Sequence, residues 1–310
     1  MILSVFAQVM LPILFVVASG FAFKKLTDFD VRPASRVSLY LFSPALIFSS
    51  LVEAEIGGEE ALRAVAFMLV LTAILGTLTL LVGVSLRYDR ATKAALLLCT
   101  MFSNTGNYGL PLALFAFGQA GFEAAIVFFV TQGILTQTLG IYIAGSGQAG
   151  WREGVSGLLR MPQLYSVFAA LAIRYIGPEY VTDSGNLAND IYRGVDLMGQ
   201  AAIPVLLVVL GAQLAGARIE AGEKTLIGIA TAIKLLIAVP LSYAIARLLG
   251  FDDLTTGIAV ILGSMPTAVN VVILATEFDI RPKLVSSTVI VSTAASFVTL
   301  TVLISVFGGG

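Results

Sequence analysis

Long apolar stretches follow one another along the whole of this chain of 310 residues. A helix needs about 20 mostly apolar residues to cross the hydrocarbon core of a bilayer. Ten stretches of this kind can be marked, at residues 4–23, 35–52, 62–86, 92–117, 122–143, 163–177, 195–216, 224–248, 254–276 and 284–307. Membrane-spanning β-strands are shorter and alternate between apolar and polar residues. The sequence therefore predicts an all-α integral membrane protein with ten transmembrane helices.

The composition excludes several classes of function. The chain is 58% hydrophobic and 12% charged, whereas soluble domains are about 45–50% apolar and about 25% charged. Its net charge of -1 provides no basic surface for nucleic acid. The sequence has no histidine and one cysteine, Cys99, which excludes an internal disulfide, His-dependent catalytic pairs and His-containing metal sites. We therefore expect no enzyme, no cofactor and no metal site.

Positive charge predicts the orientation, because cytoplasmic loops carry an excess of Lys and Arg. The loops after the odd-numbered segments hold Lys24, Lys25, Arg32, Arg36, Arg87, Arg90, Lys93, Arg152, Arg160, Arg218, Lys224, Arg281 and Lys283. The opposite side holds Arg63, Arg174, Arg193 and Arg247. We expect a cell (inner) membrane protein with both termini outside the cytoplasm, in which Trp151 and Arg152 anchor a cytoplasmic loop at the interface.

The two halves of the chain share short motifs in the same order. Pro44 and Pro204 each lie in the middle of a segment, and GGEEAL, RYDRAT and SNTGNYGLP in the first half correspond to AGEKTL, GFDDLTT and SMPTAVN in the second. Each half has an odd number of segments, so the second half must enter the membrane in the opposite sense. The pattern predicts two inverted five-helix repeats, residues 1–155 and 156–310, which is a common plan of secondary transporters.

Polar and helix-breaking residues cluster in the fourth and ninth segments. The residues expected to interrupt these helices are Gly106, Gly109, Pro111, Gly263 and Pro266. An interruption frees backbone N–H and C=O groups, which in hydrocarbon is tolerated only inside protein or beside water. The N-terminal ends of the second half-helices carry partial positive charge, which suits an anion. In such transporters the substrate binds near the midplane, where interrupted helices from the two halves meet.

These motifs carry a resemblance to a known family. SNTGNYGLPL in the fourth segment, SMPTAVNVVILA in the ninth, the ten segments and the prolines of the second and seventh resemble the auxin efflux carrier family, as a bacterial-type member, over essentially the whole chain. The resemblance implies the fold of bile acid sodium symporters, with segments 4 and 9 unwound and crossing. It also implies a scaffold of segments 1, 2, 6 and 7, a moving transport domain of segments 3–5 and 8–10, organic anion substrates such as auxin or malonate, and a homodimer.

The sequence departs from the family pattern in two places. The loop at residues 144–162 is much shorter than the cytoplasmic loop of the plant carriers, so control by phosphorylation of that loop is not expected. The sodium symporters place acidic and polar side chains at the crossing, whereas here Asn270 lies at the crossing and Glu277 at the cytoplasmic end of its segment. Coupling to sodium or to protons, or none at all, is left open.

Lys234 is a charge in the middle of a predicted span. It lies ten residues into the segment 224–248, about 15 Å along a helix, where a lysine costs about 2.5–3.5 kcal/mol on insertion scales. One hypothesis places Lys234 beside the interrupted helices, where it titrates or pairs during transport in place of a bound cation. The alternative is a structural lysine that snorkels or bonds free carbonyl groups.

The predicted function is secondary transport of a small organic anion by an elevator-like alternating-access mechanism. The predicted substrate site comprises Asn104, Thr105, Asn107, Pro111, Gln137, Pro266, Thr267 and Asn270. The glutamines Gln132, Gln200 and Gln213 are expected instead to hydrogen-bond between helices. Alternatives are a sodium- or proton-coupled importer, a sensor on a transporter fold, and a channel. The partners expected are the substrate anion, the lipid bilayer and a second copy of the chain.

Overall fold

A computed structural model describes residues 2–27, 29–54, 57–145, 156–183, 185–216 and 221–308. These residues are almost entirely helical. The helices are α1 (Ile2–Thr27), α2 (Val31–Glu53), α3 (Gly58–Ser85), α4 (Arg90–Met101), α5 (Thr105–Ala144), α6 (Pro162–Ile176), α7 (Glu179–Thr182), α8 (Leu187–Gly216), α9 (Lys224–Leu248), α10 (Asp253–Gly263), α11 (Asn270–Glu277) and α12 (Pro282–Phe307). Trp151 and Arg152, the predicted interfacial anchor, lie outside the described residues.

Seven helices of the described chain are long and apolar enough to cross a membrane, namely α1, α2, α3, α5, α8, α9 and α12. Helix α10 is a shorter apolar helix. Many of their outward-facing side chains are large and apolar, such as Phe15, Leu81 and Val298. Exposed side chains of this kind in long helices suit a lipid environment. The helices indicate an all-α, multi-pass membrane protein.

Helix α5 contains the turn between two predicted segments. Gly118 has φ 68° and ψ -161° within an otherwise helical run, a backbone conformation that L-amino acids with a Cβ atom rarely adopt. A Cβ atom at this position would meet nothing within 4 Å, so the backbone conformation and not the available space explains the glycine. The kink lies between the predicted segments 92–117 and 122–143.

Helix α8 begins at Leu187, well before the predicted start at residue 195. Polar side chains order this additional part. The Asn189 amide donates to the carbonyl oxygens of Val181 at 2.9 Å and Thr182 at 3.0 Å, and its backbone N–H donates to Asn186 Oδ1 at 2.7 Å. Hydropathy does not register this extension, because hydrogen bonds of polar side chains help to stabilise it, together with the burial of Tyr192 against Phe48.

Helices α1 and α8 approach each other closely through two glycines. A methyl group added to Gly211 would lie 1.9 Å from the carbonyl oxygen of Val17, and one added to Gly20 would lie 2.2 Å from that of Val208. Small residues let membrane helices approach to backbone contact, where dispersion forces and not hydrophobicity drive packing. The two glycines therefore fix the spacing of this helix pair.

A cluster of three aromatic rings joins α3, α5 and the start of α10. The rings of Phe67 on α3, Phe128 on α5 and Phe251 before α10 lie 5.6–6.3 Å apart between centroids. All three are buried, and such ring pairs contribute about 0.5–1.5 kcal/mol beyond their buried area. The cluster packs α3 and α5 against the start of α10, which orients the interrupted helix.

The glycine pair predicts a position-specific effect on stability. Gly211→Leu should destabilise the protein by about 1–3 kcal/mol or more, because the new side chain meets backbone atoms of α1 that rotamer changes cannot move. Gly228→Leu is the matched control, since nothing lies within 4 Å of its Cβ position on α9 and the residue is exposed. Thermal unfolding in detergent measures both variants. Equal melting temperatures for Gly211→Leu and Gly228→Leu would contradict this packing.

Candidate functional site

Two helix interruptions cross each other inside the protein. Helix α4 ends at Met101 and α5 begins at Thr105, while α10 ends at Gly263 and α11 begins at Asn270. The two linking segments run antiparallel. Asn104 N–H donates to the carbonyl of Pro266 at 2.9 Å. These helix bounds place an interruption within each of the two predicted segments.

The pairing has the geometry of a single β-bridge. Ser103 and Thr267 form the antiparallel pair, and Ala268 N–H donates to the carbonyl of Phe102 at 2.9 Å. Some of the backbone groups that each interruption frees are thus satisfied by the other segment, and side chains satisfy others. This arrangement explains how non-helical backbone is tolerated at this depth, since unpaired groups there are costly.

The first interruption does not lie where the glycines and proline predicted it. It occupies residues 102–104, whereas Gly106 and Gly109 lie in a π-helical turn and Pro111 follows in the first regular turn. The glycines provide space: added methyl groups would lie 2.7 Å from a ring carbon of Phe129 and 2.8 Å from Leu262 Cδ2, respectively. Pro111 is tolerated because the first turn of a helix needs no N–H donor at that place.

Several predicted site residues are buried within the crossing itself. Asn104, Thr105 and Thr267 are at most 5% exposed, and Pro266 is buried. Thr267 Oγ1 donates to the carbonyl of Cys99 at 2.8 Å, and its N–H donates to Ser292 Oγ at 3.2 Å. In this conformation these residues hold the two segments together.

Gln132 contacts the crossing. Its Oε1 accepts the N–H of Ser103 at 3.3 Å, and the side chain is 3% exposed. Gln137, which the sequence favoured as the lining residue, lies five residues further along α5 and is half-buried. The described contacts do not bring Gln137 to the crossing. Both glutamines lie in one apolar segment, and the sequence provides no signal that distinguishes them.

Lys234 lies at the crossing and is fully buried. Its Nζ donates to Ser103 Oγ at 2.5 Å and to the carbonyl oxygen of Gly263 at 3.4 Å. No carboxylate lies within ion-pair distance of Lys234 in the part of the chain that the structure describes. Lys234 also lies in a π-helical turn of α9, Ile233–Ile237, a feature that is frequent at functional sites.

The contacts of Lys234 shape the charge distribution of the site. The Gly263 carbonyl is at the C-terminal end of α10, where the helix dipole is negative, and the ammonium group compensates it. The N-terminal ends of α5 and α11 retain their partial positive charge. The region between these ends is therefore electropositive, which suits an anion.

Two asparagines remain accessible beside the crossing. Asn270 is the first residue of α11 and is exposed, and it has no hydrogen-bond partner among the described residues. Asn107 is half-buried in the π-helical turn after the first interruption, and its Nδ2 donates to Gln213 Oε1 on α8 at 3.3 Å. Of the predicted site residues, these two present amide groups that a ligand can reach.

Two buried amide nitrogens at the crossing have no acceptor. Asn104 Nδ2 and Gln132 Nε2 are both inaccessible and both without a hydrogen-bond partner in the structure. Asn104 follows Ser103 in the chain, and Gln132 accepts the Ser103 N–H. Ser103 is also the residue that Lys234 contacts. A buried donor without a partner costs about 1–3 kcal/mol. The crossing therefore contains two amide donors that no acceptor among the described residues satisfies.

The difference between the two glutamines is testable. Gln132→Met should destabilise the protein by at most about 1–3 kcal/mol, because it leaves the Ser103 N–H buried without an acceptor while it also removes the unpartnered Gln132 Nε2. Gln137→Met, the same change on the same helix, should alter the melting temperature little. Thermal unfolding of both purified variants measures the difference, and equal destabilisation would mean that Gln132 does not support the crossing.

Comparison with known proteins places this sequence in a family. The sequence model of a family described as membrane transport protein matches residues 5–153 and 154–304. An "Uncharacterized transporter" of Methanothermobacter thermautotrophicus is 26% identical over 300 residues, which cover 94% of this chain and 95% of the relative. An "Uncharacterized transporter" of Methanocaldococcus jannaschii is 22% identical over 302 residues, with 94% and 96% covered.

A third relative has a substrate in its name. The "Putative malonate transporter" of Rhizobium meliloti is 27% identical over 284 residues, which cover 88% of this chain and 85% of the relative. The family match spans nearly the whole chain, and the relatives match along most of their own length. The protein is therefore a membrane transporter and not an enzyme. The chain belongs to the family of membrane transport proteins, the auxin efflux carrier type that its motifs resemble.

Proposed function

We propose that this protein is a secondary transporter that moves small organic anions, carboxylates in particular, by alternating access. The observation that supports this most directly is the antiparallel crossing of two helix interruptions beside a buried lysine. In secondary transporters, the ends of discontinuous helices that meet near the midplane form the substrate site. A carboxylate matches the electropositive helix ends and the two accessible asparagine amides.

The proposed architecture is ten spans in two inverted repeats, residues 1–155 and 156–310. Contacts at a constant offset of 163 residues support it. Asp89 caps α4 by accepting the N–H of Thr92 at 2.8 Å, and Asp252 caps α10 by accepting the N–H of Thr255 at 2.7 Å. The separate family matches to residues 5–153 and 154–304 agree with this division.

Further contacts follow the same offset. Gly118 and Arg281 both have positive φ, 68° and 42°, at the turn after each interrupted helix. Glu60 accepts a hydrogen bond from Thr255 Oγ1 at 3.1 Å. Glu223 forms an ion pair with Arg281 at 2.5 Å, and the second guanidinium nitrogen of Arg281 donates to Thr92 at the start of α4. Each half thus contributes a glutamate that holds the start of the other half's interrupted helix.

The proposed moving parts follow from the family resemblance, and the close packing of α1 against α8 supports them. Helices α1, α2, α6 and α8 would form the scaffold, with α1 and α8 in glycine-mediated contact. The transport domain would contain α3, α4, α5 and α9–α12, which include both interruptions. We place the protein in the cell (inner) membrane with both termini outside the cytoplasm, as its positive charges favour. We propose a homodimer through the scaffold, from the family resemblance alone.

Lys234 is proposed to compensate charge at the crossing. An ammonium group at a helix C-terminus occupies the position at which a bound cation would be stabilised. Because its neighbours are a hydroxyl and a carbonyl, Lys234 contributes a net positive charge to a dry site. A substrate carboxylate would then enter a site whose charge is supplied by the protein itself. This role favours transport without a bound sodium ion.

The substrate proposal is tested by flux. Proteoliposomes preloaded with unlabelled malonate should accumulate labelled malonate by counterflow, because a carrier exchanges substrate across a single alternating site. Asn107→Ala and Asn270→Ala should each weaken malonate binding about ten- to a hundredfold, the effect of losing a hydrogen bond to a charged group. Gln119→Ala, at the exposed start of the helix after Gly118, is the control.

Three results would count against these assignments. Wild-type affinity in both asparagine variants would mean that the crossing is not the substrate site. Flux that neither saturates nor shows counterflow would indicate a channel. Binding of an organic acid without any flux would indicate a sensor. Malonate, indole-3-acetate and monocarboxylates should be compared, each with and without sodium and across pH, because the relative's name alone suggests malonate.

The proposed role of Lys234 predicts that its replacement impairs transport but not stability. Lys234→Met should reduce malonate flux at least tenfold without lowering the melting temperature, because removing a buried charge removes its desolvation cost. Lys224→Met, at the exposed start of α9, should change neither. A Lys234→Met protein that melts earlier and transports normally per folded molecule would instead support the structural alternative.

A further inference from the structure

We propose that Gln213 competes with the substrate for the Asn107 amide, so that substrate binding releases the interrupted helix from the scaffold. The inference rests on the proposed function, because it takes Asn107 as a substrate contact. Asn107 Nδ2 donates to Gln213 Oε1 at 3.3 Å. Gln213 Nε2 donates in turn to Ser35 Oγ at 3.3 Å, and Ser35 Oγ donates to the Val31 carbonyl at 3.0 Å.

This chain of hydrogen bonds joins two groups of helices. Asn107 lies in the turn that follows the first interruption, whereas Gln213 lies on α8 and Ser35 on α2. The bonds run in one direction, each donor meeting an acceptor that is itself a donor to the next group. In the described residues, Gln213 is thus oriented by α2 and presents its carbonyl oxygen to Asn107.

Gln213 is held on a rigid element. Two residues earlier on α8, Gly211 packs against the backbone of Val17, where a methyl group would lie 1.9 Å from the carbonyl oxygen. The backbone of α8 therefore cannot shift readily relative to α1 near Gln213. If the segment around Asn107 moves during transport, the Asn107–Gln213 bond must break, because its acceptor stays with the scaffold.

The amide oxygen of Gln213 resembles a substrate carboxylate oxygen as an acceptor. A carboxylate is the stronger acceptor for an amide N–H, so a bound substrate can replace Gln213 at Asn107. Asn270, which lies 163 residues after Asn107, is exposed and without a described partner. Of the two asparagines, Asn107 is hydrogen-bonded to the scaffold and Asn270 is available to a ligand. Substrate binding at both would exchange the scaffold contact for a substrate contact.

The test uses a glutamine variant of similar shape. Gln213→Met should tighten malonate binding about three- to tenfold, because the competing acceptor, which contributes as much as a typical hydrogen bond, is gone. Gln200→Met on the same helix is the control, since Gln200 donates to Asp196 on the exposed side of α8. In an Asn107→Ala background, Gln213→Met should have no further effect on affinity, because the pair no longer exists.

A second measurement needs no ligand. Amide hydrogen exchange of the peptide covering residues 103–113 should rise in Gln213→Met relative to both wild type and Gln200→Met, because the contact to the scaffold is lost. If wild type binds malonate but Gln213→Met binds it no more tightly, the competition is wrong while the proposed function stands. If none of the organic acids binds wild type, the proposed function fails. In that case the competition fails too, and a rise in exchange would show only that Gln213 holds the segment around Asn107. Unchanged exchange would show that Gln213 does not hold this segment either.

Discussion

The antiparallel backbone pairing of two interrupted helices is the constraint on which the site depends. Each interruption alone would leave N–H and C=O groups unpaired in a region without water, at a cost of several kcal/mol per group. The bonds Asn104 to Pro266 and Ala268 to Phe102 solve this for both segments at once. The need for backbone pairing therefore fixes where the site lies and which four helix ends face it.

The charges of the site follow from the same crossing. Two helix C-termini and two helix N-termini meet there, with partial charges of opposite sign. Lys234 donates to the C-terminal carbonyl of α10 at Gly263, and Thr267 Oγ1 donates to the Cys99 carbonyl near the end of α4. With the negative ends compensated by protein donors, the positive ends and the asparagine amides remain for a ligand. These remaining groups favour an anion over a cation.

Much of this could be predicted from the sequence, because a bilayer imposes strong rules on composition. Hydropathy located most of the helices, the polar motifs showed which two segments are interrupted, and the mid-span position of Lys234 suggested that it lies at their depth. Side-chain direction could not be predicted in the same way. Gln132 and Gln137 lie on different sides of one apolar helix, and Asn104 is buried while Asn107 is accessible. The motif also misplaced the first interruption, because glycines that provide packing space look the same as glycines that break a helix.

The proposed repeat makes its own departures from symmetry informative. Asp89 and Asp252, or Glu60 and Glu223, play matching parts because both halves need the same start for an interrupted helix. At the same offset of 163 residues, Lys234 corresponds to Leu71, a buried residue on α3. The first half is thus built without a charge at the equivalent position. A buried charge in a dry interior is costly. We therefore attribute Lys234 to the response to a charged substrate, which two identical halves would not provide.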